Sequence, residues 1–260
     1  MMRPAELSSW LGVGDESATS QLRVAEAPIA SAAGELDPLE FDGIAGASPT
    51  RILEFTAGRC LARELLRGMG APRPIVLRAR DRSPVWPLGF VGSIAHTDST
   101  CLVVVGRSPL VESVGVDVEP AESLEEDLFA EIATARELRW LATVDADRRG
   151  RFARRLFAAK EAVYKCLYPI DQEFLGFHDV ELEFTEIAPS RDAVVDDARE
   201  RIADGAVPTQ RPSRPYLASF RVRCDVSPSG SDARVVGWTL EGGGLIRAFA
   251  CLPAPVVGER

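Results

Sequence analysis

One segment constrains the fold of this chain more than any other: residues 157–165 read FAAKEAVYK. Alanine, lysine and glutamate favour helix, and no glycine or proline interrupts the segment, so it is predicted to be helical. Glu161 and Lys165 stand four residues apart and share a face of that helix. Among the 30 Lys and Arg residues of the chain, the lysines are Lys160 and Lys165 alone. Because the chain uses arginine elsewhere, Lys160 and Lys165 are expected at positions that need a compact ammonium. The alternative is that the two lysines cluster by chance and that Lys165 forms a surface ion pair with Glu161.

Composition excludes several classes of protein. With 260 residues, 46% hydrophobic and 27% charged, the chain fits a soluble globular protein with one large core or two smaller ones. No apolar run could span a bilayer, and residues 1–10 lack the apolar stretch of a signal peptide, which predicts a cytoplasmic protein with no membrane partner. Five scattered cysteines and two histidines make a zinc site an unfavourable prediction. A net charge of −9 argues against nucleic acid as a partner.

The first half of the chain shows a strand pattern, a long helix and further strands. The helix is predicted to begin at Ser48-Pro49, a favourable cap and first-turn pair, and to run to Arg67. Within it Arg51 and Arg59 lie eight residues apart and project to a similar side. Two guanidinium groups in that arrangement suit a phosphate, although the spacing alone favours a solvated arginine face. Short strands are predicted at residues 21–25, 75–77, 90–96 and 101–106.

His96 is expected where the strand 90–96 gives way to a polar turn, and site residues are often found at strand ends. A lone histidine is more often structural, but this one is half of the histidine content of the chain.

Valines alternate with Gly115, Asp117 and Glu119 in the segment 113–120, which predicts a strand ended by Pro120. The two carboxylates then point to one face, roughly 6.5–7 Å apart. Oxygen ligands in that arrangement suit a hard divalent cation, above all Mg²⁺. A half-exposed strand with one polar face is the alternative.

The second half is predicted to hold helices followed by an antiparallel meander. The helices span residues 134–143 and 147–168, with Pro169 ending the second. The strands are 179–184, 216–224, 235–240 and 245–252, with a glycine turn at 242–244. Residues 188–214 are predicted to form a surface insertion, with a short helix near 194–202.

Five arginines between residues 148 and 155 suggest either a binding surface for an acidic partner or a solvated helix face.

Four motifs occur in an order that resembles the larger 4′-phosphopantetheinyl transferases of the surfactin- and enterobactin-synthase type. They are Arg51…Phe55…Gly58-Arg59; Pro84-Val85-Trp86-Pro87…Gly92-Ser93-Ile94-Ala95-His96-Thr97; Gly115-Val116-Asp117-Val118-Glu119; and residues 157–165. The resemblance covers about residues 48–185.

The resemblance implies an α+β fold with two similar halves related by a pseudo-twofold axis and coenzyme A bound in the cleft between them. We place the halves at residues 1–118, on the side of the coenzyme A 3′-phosphate, and 119–260, which carries the metal and the catalytic helix.

The resemblance also implies roles for particular residues. The Mg²⁺ ligands are expected to be Asp117, Glu119 and Glu161, and Lys165 is expected to contact the phosphates. The coenzyme A side is expected to use basic and hydroxyl side chains: Arg51, Arg59, Arg82, Ser93 and His96. Arg82 stands where other members often carry lysine. His178 matches no motif and is taken as structural.

The implied reaction transfers the phosphopantetheine arm of coenzyme A to a serine of an apo acyl or peptidyl carrier protein and releases 3′,5′-ADP. Serine needs a base, for which Glu161 is the candidate, with Lys160 as an assistant. Because carrier proteins are generally acidic near the modified serine, the arginines between 148 and 155 are expected to attract them. A chain with both halves needs no partner to complete its cleft, so a monomer is expected.

Two other interpretations compete. A Mg²⁺-dependent phosphohydrolase with the same acids would need no block for a 3′-phosphate, which Arg51, Arg59 and His96 are expected to form. A non-catalytic coenzyme A binder would not need the four residues Asp117, Glu119, Glu161 and Lys165. Which carriers are served, whether of fatty acid, polyketide, nonribosomal peptide or siderophore synthases, stays open.

Overall fold

The computed structural model describes residues 22–41, 43–187, 216–222 and 235–254. The predicted short helix 194–202 and nearly all of the predicted insertion lie outside these residues. The described part mixes helices with antiparallel sheets and agrees with the predicted α+β class. Within it, no helix combines the length and the apolar character that a membrane span requires.

The first half is built on an antiparallel sheet of three strands in the order β1-β5-β4. The strands are β1 (Leu22–Pro28), β4 (Phe90–His96) and β5 (Thr100–Arg107). Side chains alternate along β5: Val103 and Val105 face one core cluster, whereas Leu102 and Val104 face another. The sheet is therefore covered on both faces, as its apolar strands predicted.

One face of this sheet is covered by helix α3 (Pro49–Gly68). The hydroxyl of Ser48 accepts from the backbone N–H of Arg51 at 3.3 Å, which confirms the predicted cap. Gly70 follows the helix with a φ of 78°, a backbone conformation that glycine adopts without strain.

The second half is built on a five-stranded antiparallel sheet in the order β6-β10-β9-β8-β7. Its members are β6 (Val111–Pro120), β7 (Leu182–Ile187), β8 (Tyr216–Val222), β9 (Val236–Gly242) and β10 (Leu245–Pro253). The predicted meander is thus confirmed, and β6 closes it by pairing with β10. The predicted boundary after Val118 falls inside β6 and stays a prediction.

Helix α6 (Ala146–Asp171) covers the outer face of this second sheet. The prediction that Pro169 ends this helix was wrong, because the helix continues to Asp171 with Pro169 in its last turn. A proline there removes only one backbone hydrogen bond. The helix ends where Gln172 adopts a left-handed conformation with a φ of 59°.

Strand β6 lies between two cores and sets the orientation of the carboxylates. Val114, Val116 and Val118 pack into the cluster between the two sheets. The alternate residues therefore face α6, where the Ser113 hydroxyl donates to the carbonyl of Cys166 at 2.5 Å. At Gly115 an added Cβ would come within 1.9 Å of the Ala162 carbonyl oxygen, so strand and helix touch through their backbones.

Shorter elements complete the fold: α1 (Ile29–Ala32), α2 (Pro38–Phe41), β2 (Leu77–Arg78), β3 (Pro84–Val85), a 3₁₀ turn (Glu126–Leu128), α4 (Phe129–Ile132) and α5 (Ala135–Thr143). The strand predicted at 75–77 is displaced to Leu77–Arg78. The reason is that the backbone of Val76 bonds to side chains instead, donating to Glu40 and accepting from Arg59. The strand predicted at 179–184 begins later, at Leu182, after a turn at 176–179.

Candidate active site

A cavity of about 310 Å³ opens between α3, the β2–β3 segment, β4 and the end of α6. Its cationic and aromatic lining residues include Arg51, Arg59, Arg78, Arg82, His96, Lys165, Phe55, Trp86, Tyr164 and Tyr168. All the residues that the sequence predicts to contact coenzyme A thus line one cavity: Arg51, Arg59, Arg82, Ser93, His96 and Lys165. Arg78, Glu54 and Asp81 also line this cavity, although the sequence motifs did not identify them as site residues.

Arg51 and His96 meet at this cavity although 45 residues separate them. Nη1 of Arg51 lies 2.8 Å from Nε2 of His96 and donates to Oε2 of Glu54 at 3.1 Å. The first turn of α3 and the last residue of β4 bring the two groups together. A basic group, an imidazole and a carboxylate therefore form one cluster.

Arg59 is 5% exposed and is held more firmly than a surface arginine. Its Nε donates to the Val76 carbonyl at 2.7 Å, and its guanidinium carbon lies 4.2 Å from the centre of the Phe55 ring. Burial is the main cause that lowers the pKa of Arg59 to about 10. The side chain remains cationic at neutral pH and is pre-oriented at the cavity wall.

The loop after β2 reaches across to the end of α6. The Tyr168 hydroxyl donates to Oδ2 of Asp81 at 2.8 Å, and Asp81 also accepts from the backbone and hydroxyl of Ser83. These Ser83 bonds are the main cause that lowers the pKa of Asp81. Arg82 in this loop has a positive φ of 76°, and its exposed side chain lines the cavity.

Ser93 is buried and joins the two sheets. Its hydroxyl accepts from the backbone N–H of Val116 at 3.1 Å, one residue before Asp117. Ser93 thus connects the cavity wall to the carboxylate-bearing strand.

Two ion pairs tie the carboxylates of β6 to α6. Nζ of Lys165 donates to Oδ1 of Asp117 at 2.6 Å. Nη1 of Arg154 donates to Oε2 of Glu119 at 3.1 Å. Arg154, Glu161 and Lys165 fall on one stripe of α6, since residues seven and eleven positions apart differ by only about 20° around a helix.

Burial and mutual repulsion raise the pKa values of two acids. Desolvation is the main cause at Glu119, and the charge of Asp117 adds to it. Desolvation is also the main cause at Glu161, where Asp117 raises the pKa further while Lys165 lowers it. The influence of Asp117 on both glutamates shows that the three predicted acids share one electrostatic environment.

These acids offer a hard cation suitable donors. Oδ2 of Asp117 is buried and has no hydrogen-bond partner among the described residues, although buried carboxylate oxygens normally have one. An oxygen-ligated divalent cation would satisfy it. In the described part of the chain, no three His, Cys, Asp or Glu side chains are already gathered as a metal cluster. The carboxylate oxygens of these acids are donors of the kind that Mg²⁺ takes. In this structure Asp117 contacts Lys165 and Glu119 contacts Arg154.

Lys160, the predicted assistant, lies on a different side of α6. Its Nζ donates to Oε2 of Glu137 and to the Phe177 carbonyl, each at 2.6 Å. Glu137 also accepts from the backbone N–H groups of Thr134 and Leu182. Lys160 therefore joins α6 to α5 through Glu137 and to the turn before β7 through Phe177, next to a cavity of about 100 Å³ that Glu161 also lines.

Four of the five arginines at the basic front of α6 make intramolecular polar contacts. Arg151 and Arg155 pair with Glu241, and Arg154 pairs with Glu119. Arg149 donates to the carbonyls of Leu141 and Val144. These contacts compensate part of the positive charge of the helix front, on which Arg148 and Arg151 are exposed. Attraction of an acidic partner by this face stays a prediction.

Comparison with known families agrees with this site. Residues 40–106 match the 4′-phosphopantetheinyl transferase N-terminal domain, and residues 113–204 match the 4′-phosphopantetheinyl transferase superfamily. The two matches contain the cavity arginines, the β6 carboxylates and Glu161. The chain belongs to the 4′-phosphopantetheinyl transferase superfamily.

Curated relatives show the same similarity. The chain is 33% identical over 147 residues to the 4′-phosphopantetheinyl transferase Npt of Nocardia iowensis and 36% identical over 151 residues to PptT of Mycobacterium tuberculosis. Each alignment covers 56% of this chain, with 65% of Npt and 64% of PptT. It is also 33% identical over 134 residues to enterobactin synthase component D of Salmonella typhimurium, covering 48% of this chain and 51% of that protein. The chain thus spans less than two thirds of the length of these relatives.

Proposed function

We propose that the protein transfers the 4′-phosphopantetheine arm of coenzyme A to a serine of an apo acyl or peptidyl carrier protein. The observation that carries this proposal is the position of Lys165, which lines the basic cavity and also bonds to Asp117. One side chain thereby joins a site for a phosphorylated nucleotide to a cluster of carboxylates. A phosphohydrolase with the same acids would not need the adjoining Arg51–Arg59–His96 wall.

In the proposed reaction the serine oxygen attacks the β-phosphorus of coenzyme A. The bond from that phosphorus to the bridging oxygen of the pyrophosphate breaks, and 3′,5′-ADP leaves with the bridging oxygen. Glu161 takes the serine proton, and the raised pKa of its carboxyl makes it a better base than an ordinary glutamate. Lys165 stabilises the charge on the departing phosphate.

Mg²⁺, when bound, would neutralise charge on the pyrophosphate. Asp117, Glu119 and Glu161 would hold it; the buried Oδ2 of Asp117 has no hydrogen-bond partner within the described part of the chain and offers a donor. Arg51, Arg59 and His96 would bind the 3′-phosphate, with Ser93 and Arg82 at the neighbouring walls. Lys160 would act mainly by fixing α6 against α5, since its ammonium is committed to Glu137.

The proposal extends to the organisation of the chain. Each half places one long helix on an antiparallel sheet, which supports a pseudo-twofold relation between residues 1–118 and 119–260. That this enzyme is monomeric and cytoplasmic, without a nucleic-acid partner, remains a prediction from the sequence.

The deciding experiment incubates the protein with coenzyme A, Mg²⁺ and several apo carrier proteins, and weighs each carrier by mass spectrometry. A carrier that gains the phosphopantetheine arm supports the proposal and begins to rank substrates. Glu161→Ala is expected to lower the rate by at least about 10²-fold, since general bases contribute that much. No gain on any carrier, or an unchanged rate in Glu161→Ala, contradicts the proposal.

A further inference from the structure

Glu54 places a carboxylate beside the cations Arg51 and Arg59 and the imidazole of His96, whereas Asp81, the other acid of the cavity wall, bonds to Ser83 and Tyr168. Its side chain is 14% exposed and lines the cavity beside Arg51, Arg59 and His96. An acid there repels any phosphate, so its position calls for an explanation.

The contacts of Glu54 are with the groups that a phosphate would use. Its Oε2 lies 3.1 Å from Nη1 of Arg51 and 3.6 Å from Nε2 of His96. Arg51 and Glu54 are separated by three positions on α3, so the helix backbone holds both on one side. The carboxylate therefore stays near any anion bound by Arg51 and His96.

We propose that Glu54 limits the affinity of this site for the 3′-phosphate, and so determines how readily the nucleotide product leaves. This inference rests on the proposed function, in which substrate and product carry the same 3′-phosphate. Without Glu54 the cations would hold both more tightly, and a tightly held 3′,5′-ADP would slow turnover. Glu54 also gathers Arg51 and His96 before the ligand arrives, a task that an uncharged hydrogen-bond acceptor of the same shape could perform.

Glu54→Gln separates the charge from the hydrogen bond, because glutamine keeps the shape and an acceptor oxygen. Titration calorimetry measures binding of 3′,5′-ADP, with 5′-AMP as the ligand that lacks the 3′-phosphate. We expect Glu54→Gln to bind 3′,5′-ADP roughly three- to tenfold more tightly, the effect of one nearby charge in partly screened solvent. Affinity for 5′-AMP is expected to change by less than about twofold, because that ligand leaves the Arg51–His96 cluster unused.

Glu64→Gln is the matched control, since Glu64 is exposed on the same helix and its loss changes the net charge equally. Equal tightening in both variants, or equal tightening toward both ligands, would show a general charge effect and overturn the inference. Unchanged or weaker binding of 3′,5′-ADP by Glu54→Gln overturns it too. If the wild-type protein binds no 3′,5′-ADP, both the proposed function and the inference about Glu54 are contradicted. If the wild-type protein binds it and Glu54→Gln does not bind it more tightly, only the inference about Glu54 is contradicted.

Discussion

The two lysines of α6 make ion pairs of the same length in different surroundings. Lys160–Glu137 and Lys165–Asp117 both measure 2.6 Å from nitrogen to oxygen. The side chains of the first pair are each 1% exposed, whereas Lys165 is 29% exposed at the cavity. Five positions along a helix turn the side chains about 140° apart, so the two pairs face different parts of the protein.

This difference separates a structural pair from a pair that a ligand can rearrange. The Glu137 carboxylate accepts from three segments of the chain, through the backbone N–H groups of Thr134 and Leu182 and the ammonium of Lys160. Asp117 retains one oxygen that has no hydrogen-bond partner among the described residues, and the ammonium of Lys165 can reach solvent. Distance alone does not distinguish the roles, whereas burial and incomplete hydrogen bonding do.

The largest effect is expected for Lys160→Met, which leaves the Glu137 carboxylate buried without its cation. Loss of one partner of a buried pair costs about 3–5 kcal/mol of the free energy of unfolding. Urea denaturation followed by circular dichroism measures the loss. Glu137→Gln combined with Lys160→Met should recover a substantial part of it, because no uncompensated charge remains; a double variant as unstable as the single one would show that packing dominates.

A smaller loss of stability and a large loss of activity are expected for Lys165→Met. The pair is partly exposed, so its removal should cost about 1 kcal/mol. The rate of carrier modification should fall by about 10²-fold, because the developing phosphate charge loses its cation. Lys165→Arg tests whether a compact ammonium is required: wild-type stability with a clearly reduced rate supports that requirement, and a near-normal rate contradicts it.

The smallest change in the free energy of unfolding is expected for Glu161→Gln, which should slightly stabilise the metal-free protein. Because folding raises the pKa of Glu161 above 4.5, its ionisation at neutral pH opposes folding. Removing that charge should raise the free energy of unfolding at pH 7 in EDTA, by less than the change expected for Lys165→Met.

The sign of this effect can be checked against pH. At a pH below the ordinary value of 4.5, the acid is largely protonated in both states and the difference from wild type should vanish. As pH rises through the raised pKa of the folded state, the variant should gain over wild type. A variant that is less stable than wild type at pH 7 would show that the Glu161 carboxylate makes a stabilising contact that outweighs its desolvation.

Local patterns were sufficient to predict most elements of the fold. Ser48-Pro49 marked the start of α3, and the alternation along residues 113–120 identified β6 and the shared face of Asp117 and Glu119. These signals succeed because capping and period-two burial depend on neighbouring residues. Pro169 misled the prediction, since a proline in a last turn costs too little to end a helix that packing stabilises.

The positions of the ion-pair partners depended on long-range packing. Glu54 was overlooked because its significance depends on His96, which approaches it from another strand. The sequence of the basic front of α6 likewise did not show that three of its arginines pair with Glu119 and Glu241. Charge counts along a chain do not show which charges face each other after folding.

The amino-acid sequence was enough to predict the class of fold and the family resemblance, because motif spacing and periodicity are local properties. The roles of the candidate site residues stay predictions. The different roles of Lys160 and Lys165 could not be predicted from these local properties. Both stand in one short helical segment beside Glu161. Their roles follow from the sheet and loops that α6 packs against, which bury one ammonium with Glu137 and leave the other at the cavity with Asp117.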